Sequence, residues 1–191
     1  DWSAFTGRIN AITDNDGGDF RINNSAGYAR AALSLAPKVW AYHLSGGTVE
    51  VGELSGSVGS GLSTANWIVG ARDTDATFAG SISGSTSLTK SGQGVWTLTG
   101  AMAHTGKTLV KAGTLRLLSP ASITNGNTVT VLPGATLDLL GASLNIDSVS
   151  VLSGGFLRGY GSLAGDLMNS GEVTVTGPLS VLGSLENSGV L

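Results

Sequence analysis

The stretch His104–Leu117, HTGKTLVKAGTLRL, combines glycine and small polar residues with evenly spaced aliphatic residues. Related phrases occur at Phe5 (FTGRI) and at Phe78 (FAGSI). A phrase that recurs along one chain is typical of a repeat architecture, in which each unit packs on the next. We therefore expect Phe5 and Phe78 to occupy equivalent positions and to stack as a ladder inside the fold.

The repeat becomes clearer when the chain is aligned on a glycine followed by two apolar residues spaced by two. The first apolar position is then filled by Phe20, Val49, Trp67, Trp96, Leu115, Leu137, Leu157 and Val173. Spacings near twenty residues predict a solenoid, and the strand alternation predicts that these side chains point inward. A second strand precedes many of these positions, at Leu44, Val110, Val131, Val151 and Leu167. The predicted fold is all-β, a single right-handed parallel β-helix.

Composition favours strands joined by tight turns. The 191 residues include 30 glycines, about twice the usual frequency of ~7%, without the three-residue period of collagen. The alternative is an antiparallel sandwich, which would need hairpin turns of Asn-Gly type at short intervals. The chain has one such pair, at Asn125–Gly126, and the β-helix is therefore preferred.

Charge and residue usage exclude several classes of function. The formal net charge is -3, so the chain lacks the basic footprint that a nucleic-acid partner requires. There is no cysteine to form disulfides or thiolate metal sites. No run of 18 apolar residues occurs, so we expect no membrane insertion. We also expect a monomer.

Residues 88–118, LTKSGQGVWTLTGAMAHTGKTLVKAGTLRLL, resemble the autotransporter-associated strand repeat, also called the passenger-associated transport repeat. Residues 66–82 and 152–181 are similar to segments that often flank it. In this sequence His104 stands where the family commonly has tyrosine, and Tyr160 stands where a small residue is usual. The resemblance implies a right-handed β-helix in a secreted or bacterial cell-surface protein, without implying one activity.

The resemblance also implies a domain organisation. It covers residues 60–191, whereas residues 1–60 match only by the coil pattern and are read as divergent coils or a cap. We interpret residues 1–191 as one β-helix domain, a fragment of a larger multidomain protein. A weaker resemblance, based on the fold and the aromatic-rich first third, is to β-helical carbohydrate-binding modules attached to secreted bacterial xylanases.

Catalysis is not expected from this sequence. Glycoside hydrolysis needs two paired carboxylates, but Asp73 and Asp75 fit a turn or surface role better. The acids Asp14, Asp16 and Asp19 could offer oxygen ligands to calcium, but position 12 of an EF-hand loop would be serine. An Asx-rich corner is the preferred interpretation there. We expect no enzyme activity, no cofactor and no metal site.

Several large polar or aromatic side chains have no inward position in the repeat. Exposed aromatic rings offer stacking faces for sugars, and arginine adds hydrogen bonds to hydroxyl groups. The candidate carbohydrate-binding residues are Trp2, Tyr28, Arg30, Trp40, His43 and Tyr160. His43 is expected to face outward beside an inward Tyr42. The same aromatic stretch could instead cap the open end of the solenoid.

Two functions follow from these residues and resemblances. The first is a non-catalytic carbohydrate-binding module that holds a plant cell-wall polysaccharide, xylan above all, near a linked catalytic domain. The alternative is a structural β-helical shaft segment of an autotransporter or adhesin passenger. A platform of exposed rings favours the first, whereas rings used only for packing favour the second.

Overall fold

The computed structural model describes residues 4–14, 16–23, 28–124 and 127–191, and within these ranges the chain forms strands and turns without helices. Accordingly, no helix capable of crossing a membrane is found among the described residues. The strands are, in chain order, β1 (Arg8–Ala11), β2 (Gly18–Ile22), β3 (Ala32–Leu35), β4 (Val39–His43), β5 (Thr48–Val51), β6 (Glu53–Gly56), β7 (Gly61–Ser63), β8 (Asn66–Val69), β9 (Ala76–Phe78), β10 (Ser81–Gly84), β11 (Ser87–Lys90) and β12 (Val95–Leu98). They continue with β13 (Ala101–His104), β14 (Thr108–Val110), β15 (Thr114–Leu118), β16 (Ser122–Ile123), β17 (Thr128–Val131), β18 (Thr136–Leu144), β19 (Ser148–Val151), β20 (Phe156–Leu163), β21 (Asp166–Asn169), β22 (Glu172–Val181) and β23 (Leu185–Asn187).

Each strand pairs in parallel with a strand one turn away in the sequence, and the strands form three faces. The first face stacks β1, β3, β6, β9, β12 and β15, and the second stacks β2, β4, β7, β10, β13 and β16. The third face stacks β5, β8, β11, β14, β17, β19, β21 and β23. The long strands β18, β20 and β22 bend at a corner, so that each contributes to both the first and the second face. The described ranges thus form a parallel β-helix of about nine turns. Its right-handed sense, which parallel crossovers favour, stays a prediction.

The period of about twenty residues is visible in the first face. Trp96, Leu115, Leu137, Leu157 and Val173 are successive register partners, separated by 19, 22, 20 and 16 residues. All five side chains are buried. Because side chains alternate across a strand, each turn contributes this position to a continuous apolar column inside the coil.

The predicted inward column nevertheless joins residues from three different faces. Val49 and Trp67 are register partners on the third face, whereas Trp96 lies on the first. Phe20 lies on the second face and is only partly buried. The 29-residue intervals, from Phe20 to Val49 and from Trp67 to Trp96, therefore arise where the alignment passes from one face to another.

The preceding-strand positions are confirmed with one exception. Val110, Val131, Val151 and Leu167 are buried on the third face. The prediction for Leu44 is wrong, because this residue follows β4 in a turn and is 54% exposed. Leu44 lies five residues before Val49, and the corner between the second and third faces falls between these two residues.

The repeated phrase of the sequence marks corners, but a different corner each time. FTGRI leads into β1 on the first face, FAGSI leads from β9 on the first face to β10 on the second, and HTGKTL leads from β13 on the second face to β14 on the third. Phe78 therefore has Gly56 and Leu98 as register partners, and the predicted ladder with Phe5 is wrong. The phrase recurs because each of these corners requires a glycine. A Cβ at Gly80 or Gly106 would lie 2.5 Å or less from atoms of the preceding turn.

Candidate functional site

The six predicted carbohydrate-binding residues do not form one site. Trp2 lies outside the described residues. Tyr28 is partly buried against the core, and this burial raises the pKa of its phenol. Arg30 lies near Arg72, which donates a hydrogen bond of 2.9 Å to the Arg30 carbonyl. These two residues line a shallow depression separate from Trp40.

His43 faces the interior, so the prediction of an outward side chain is wrong. It is 5% exposed, and its Nδ1 accepts hydrogen bonds from the amides of Gly47 at 3.0 Å and Ser45 at 3.2 Å. Alternation along β4 places Val39 and Ala41 inward with His43. Tyr42, which was expected to face inward, instead alternates to the outer side of β4 with Trp40. His43 therefore stabilises a corner and is not available to a ligand.

Trp40 does face outward, as the candidate site requires. Its register partners on the two neighbouring strands are Asp19 in β2 and Gly61 in β7. A Cβ at Gly61 would overlap the six-membered ring of Trp40. The indole therefore leans across the next turn, and the glycine provides the space for it. Trp40 is left partly exposed on the outer side of the second face.

Polar groups lie beside Trp40 on the neighbouring strand β2. Arg21 Nη2 contacts Asp19 Oδ2 at 3.0 Å, and the hydroxyl of Tyr42 donates to the same oxygen at 3.0 Å. These hydrogen bonds, that of Arg21 foremost, lower the pKa of the Asp19 carboxyl. Asp19 is therefore a carboxylate at neutral pH. The arrangement fixes one acceptor and one guanidinium beside an aromatic ring.

The surface between these groups is an open depression of about 870 Å³. Its lining consists of Asp16, Gly17, Gly18, Asp19, Arg21, Lys38, Trp40 and Gly59. Two acidic and two basic side chains balance, so the depression carries no formal net charge. Lys38 adopts a left-handed backbone with φ 64°, a conformation that is uncommon for a non-glycine residue.

Tyr160 lies where β20 bends from the first to the second face, because its partner Leu140 pairs with Leu118 of the first-face strand β15, and it is far from Trp40. The strands that separate them are stacked in the order β4, β7, β10, β13, β16, β18 and β20, which is six steps. At a strand spacing of ~4.8 Å, the two rings are roughly 30 Å apart along the solenoid. Tyr160 is 41% exposed. It cannot contact the same sugar unit as Trp40.

The carboxylates considered for catalysis hold the turns of the coil together. Asp73 Oδ1 accepts a hydrogen bond from the amide of Gln93 at 2.6 Å, and Asp75 Oδ1 accepts one from Val95 at 2.7 Å. Each acid thus caps an amide of the following turn. Glu53 likewise accepts hydrogen bonds from Arg8 and Thr74, at 2.6 and 2.8 Å.

Asp14 and Asp16 are joined by a hydrogen bond from backbone to side chain of the kind found in Asx turns. The amide of Asp16 donates to Asp14 Oδ1 at 3.4 Å, the pattern by which an aspartate closes its own turn. Across the described parts of the chain, no group of three or more His, Cys, Asp or Glu residues could hold a metal ion.

Lys90 is a buried cation that the sequence argument missed. It is 1% exposed, between Val69 and Val110 in the third face. Its Nζ donates to the carbonyls of Ser91 at 2.6 Å and Gly92 at 2.8 Å, and more weakly to that of Ala112 at 3.2 Å. Burial lowers the pKa of the ammonium to about 8. The sequence did indicate this burial, because side chains alternate along β11 and Lys90 must therefore point inward with Leu88.

The stretch that contains Lys90 is similar to a known protein family. Residues 88–117 match the family model described as Passenger-associated-transport-repeat. This segment is similar to a passenger-associated transport repeat. It corresponds to the strands β11 to β15, which extend over one and two-thirds turns of the helix.

A longer match extends beyond the passenger-associated transport repeat. The chain is 33% identical over 122 residues to the Adhesin BmaC autotransporter of Brucella suis biovar 1 (strain 1330). The match covers 61% of this chain and 4% of that protein, so the chain spans a small part of its relative. No solved structure matches the chain significantly.

Within the matched segment, residues 88–117, His104 occupies a fully buried position. It is 0% exposed, and its Nε2 lies 3.0 Å from the hydroxyl of Thr108. Its Nδ1 has no hydrogen-bond partner among the described residues. Burial lowers the pKa of the imidazole to about 4. The side chain is therefore neutral at physiological pH.

Proposed function

We propose that this chain is a segment of a β-helical shaft in a surface-exposed protein of the autotransporter type, and that its role is structural. The observation that carries the proposal is a segment that matches the passenger-associated transport repeat and lies within a stack of parallel turns. The similarity to an autotransporter adhesin supports both the role and a secreted or cell-surface location. A shaft needs stiffness along its axis, and each turn should therefore be tied to the next.

Side-chain contacts between turns supply such ties in addition to the backbone pairing. Arg116 and Asp138 are register partners on the first face and form an ion pair of 2.8 Å. On the third face, Asn169 Nδ2 donates to Asn187 Oδ1 at 2.7 Å. The capping carboxylates described above act at the corners. These contacts join adjacent turns, as a solenoid requires. They also occupy carboxylates that an enzyme would need for catalysis.

The last turn exposes an apolar surface that supports the same proposal. Val175, Leu185 and Val190 are 56%, 51% and 62% exposed around a cavity of about 360 Å³. Exposed apolar patches with unpaired strand edges favour association with another β-layer.

A module that targets a linked hydrolase to xylan stays a prediction. The comparisons name no carbohydrate and no glycosidase, and they favour the shaft. A non-catalytic role is common to both functions. This role is supported by Asp73, Asp75 and Glu53, whose carboxylates accept hydrogen bonds that join the turns.

Surface display tests the shaft. Residues 1–191 are inserted into the passenger of an autotransporter whose export is already established, and the cells are probed with antibody and protease. We expect the inserted chain to reach the surface and to resist protease there. A Trp67→Ala/Trp96→Ala insert, whose core is disrupted, is the matched control and should be digested. Retention of the parent insert inside the cell, or digestion as fast as the control, would contradict the proposal.

A further inference from the structure

We propose that the outer side of the second face, around Trp40, Asp19 and Arg21, is a shallow binding site for one or two pyranose units of a neutral glycan. This function is additional to the shaft and does not depend on it. The relevant geometry is an aromatic ring beside a fixed carboxylate–guanidinium pair, in an open depression of neutral formal charge.

The aromatic component of the site is held in place by the fold. Trp40 leans over Gly61, so the backbone of β7 restricts the ring without covering it. At the outward positions beyond it, β7 carries Ser63 and β10 carries Ser81 and Ser83. These side chains are small, and a flat ligand can approach along the solenoid axis. An indole that is already ordered loses little conformational entropy on stacking against a sugar ring.

The polar component is pre-organised in the same way. Tyr42 and Arg21 both donate to Asp19 Oδ2, which orients the carboxylate. Its second oxygen, which has no hydrogen-bond partner among the described residues, is left to accept from a ligand. Arg21 retains further N–H groups, because a guanidinium has five donors. Adjacent hydroxyl groups of a pyranose offer both hydrogen-bond donors and hydrogen-bond acceptors. A carboxylate and a guanidinium side by side therefore match a vicinal diol.

Charge decides between a neutral glycan and a polyanion. Asp16 and Asp19 offset Arg21 and Lys38 in the lining. A polyanionic chain would meet two carboxylates and gain little net attraction. A divalent cation would lack ligands, since no metal-binding group of three was found in the described residues. A neutral, hydroxyl-rich ligand is the class that the ring, the carboxylate and the guanidinium all accept.

The test uses the purified chain and a panel of soluble xylan, β-glucan and mannan, with polygalacturonate as the anionic comparison. Binding is measured by retardation in native gels and by titration calorimetry with the matching oligosaccharides. We expect retardation by at least one neutral glycan, and we expect sodium chloride at 0.5 M not to release it, because counterion screening does not weaken neutral contacts.

Variants assign the binding to this site. Trp40→Ala and Asp19→Ala should each weaken binding at least tenfold, whereas Trp40→Tyr should restore most of it. Tyr160→Ala is the matched control, since it removes an exposed aromatic ring about 30 Å away along the solenoid, and it should bind as the parent does. Circular dichroism and the unfolding midpoint show whether each variant is folded.

Several results would overturn the proposal. These are a parent chain that binds no neutral glycan, a preference for polygalacturonate that salt abolishes, or a folded Trp40→Ala chain that binds as the parent does. Should Trp40→Ala fail to fold, Asp19→Ala decides, because Asp19 is exposed and its loss leaves the core intact. Undiminished binding by a folded Asp19→Ala chain would refute the site.

Discussion

The indole Nε1 of Trp96 donates a hydrogen bond of 3.0 Å to the carbonyl oxygen of Leu54, which lies two turns earlier on the same face. Phe78 belongs to the turn between them, and its ring lies 6.4 Å from that of Trp96 at an angle of 49°. One side chain therefore connects three turns, through a polar bond as well as through packing. Removing the Trp96 side chain should therefore weaken the contacts among all three turns.

Truncation of the buried tryptophans should destabilise the whole coil. We expect Trp96→Ala and Trp67→Ala each to lower the free energy of unfolding by about 3–5 kcal/mol, the usual cost of deleting a buried large aromatic side chain. Trp96→Ala also leaves the Leu54 carbonyl without its indole donor. Urea denaturation followed by circular dichroism measures both losses.

Trp96→Phe separates packing from hydrogen bonding at this site. Phenylalanine keeps most of the apolar contact and removes the donor, so the variant should lose less stability than Trp96→Ala does. If both alanine variants unfolded at the parent's urea concentration, the assignment of these rings to the core would be wrong.

Lys90 should contribute stability even though it is a buried charge. Replacing it by methionine keeps the volume and removes the ammonium, which leaves its carbonyl partners on Ser91 and Gly92 without that donor. We expect Lys90→Met to lower the free energy of unfolding by about 2–4 kcal/mol, because unpaired buried acceptors are costly. Lys111, at an exposed position in the next turn, is the matched control. Lys111→Met should stay within about 0.5 kcal/mol of the parent, and equal losses in the two variants would argue against a specific role for Lys90.

Two glycines with similar backbones should respond differently to alanine. Gly134 and Gly159 have φ values of 78° and 107°, so both substitutions incur the left-handed penalty of roughly 1–2 kcal/mol. A Cβ at Gly134 meets nothing within 4 Å, whereas one at Gly159 overlaps the carbonyl of Leu139. We expect Gly159→Ala to cost about 1–3 kcal/mol more than Gly134→Ala. Thermal unfolding of the two variants, side by side, measures the difference, and equal losses would mean that the turns can separate at this point.

Sequence periodicity predicted the type of fold because a coil of about twenty residues repeats both its glycine corners and its apolar positions. It could not assign each position to a face. Every turn has three corners with similar turn chemistry, and Gly7, Gly80 and Gly106 belong to three different corners. The register of Trp67 against Val49 and of Trp96 against Leu115 depends on pairing across turns, which local patterns do not contain.

The candidate site was only partly predictable for the same reason. Trp40 was correctly read as outward, but His43 and Tyr42 were inverted because they were aligned to another face. The contribution of Asp19 and Arg21 was missed, since these residues precede Trp40 by about twenty positions and meet it only through the pairing of β2 with β4. The spacing of one turn between Asp19 and Trp40 was the available signal.

Stability should depend on the protonation of His104 at mildly acidic pH. The pKa of its imidazole is about 4 in the folded chain, against 6.5 for an ordinary histidine. The unfolded chain therefore binds the proton first as the pH falls, and protonation favours unfolding. The contribution of neutral His104 is complete above pH 6.5 and is lost progressively between pH 6.5 and about 4. The full loss corresponds to roughly 3 kcal/mol, at 1.36 kcal/mol for each pKa unit.

The variant His104→Gln isolates this effect from the titration of the carboxylates. Glutamine has no proton to gain in this range, whereas contacts such as that between Arg116 and Asp138 are shared by both chains. The difference in unfolding free energy between the parent and His104→Gln, measured by urea denaturation at intervals from pH 7 to pH 4, should shift by roughly 3 kcal/mol against the parent. A difference that stays constant over this range would show that the folded protein accommodates a charged His104 as well as the unfolded chain does.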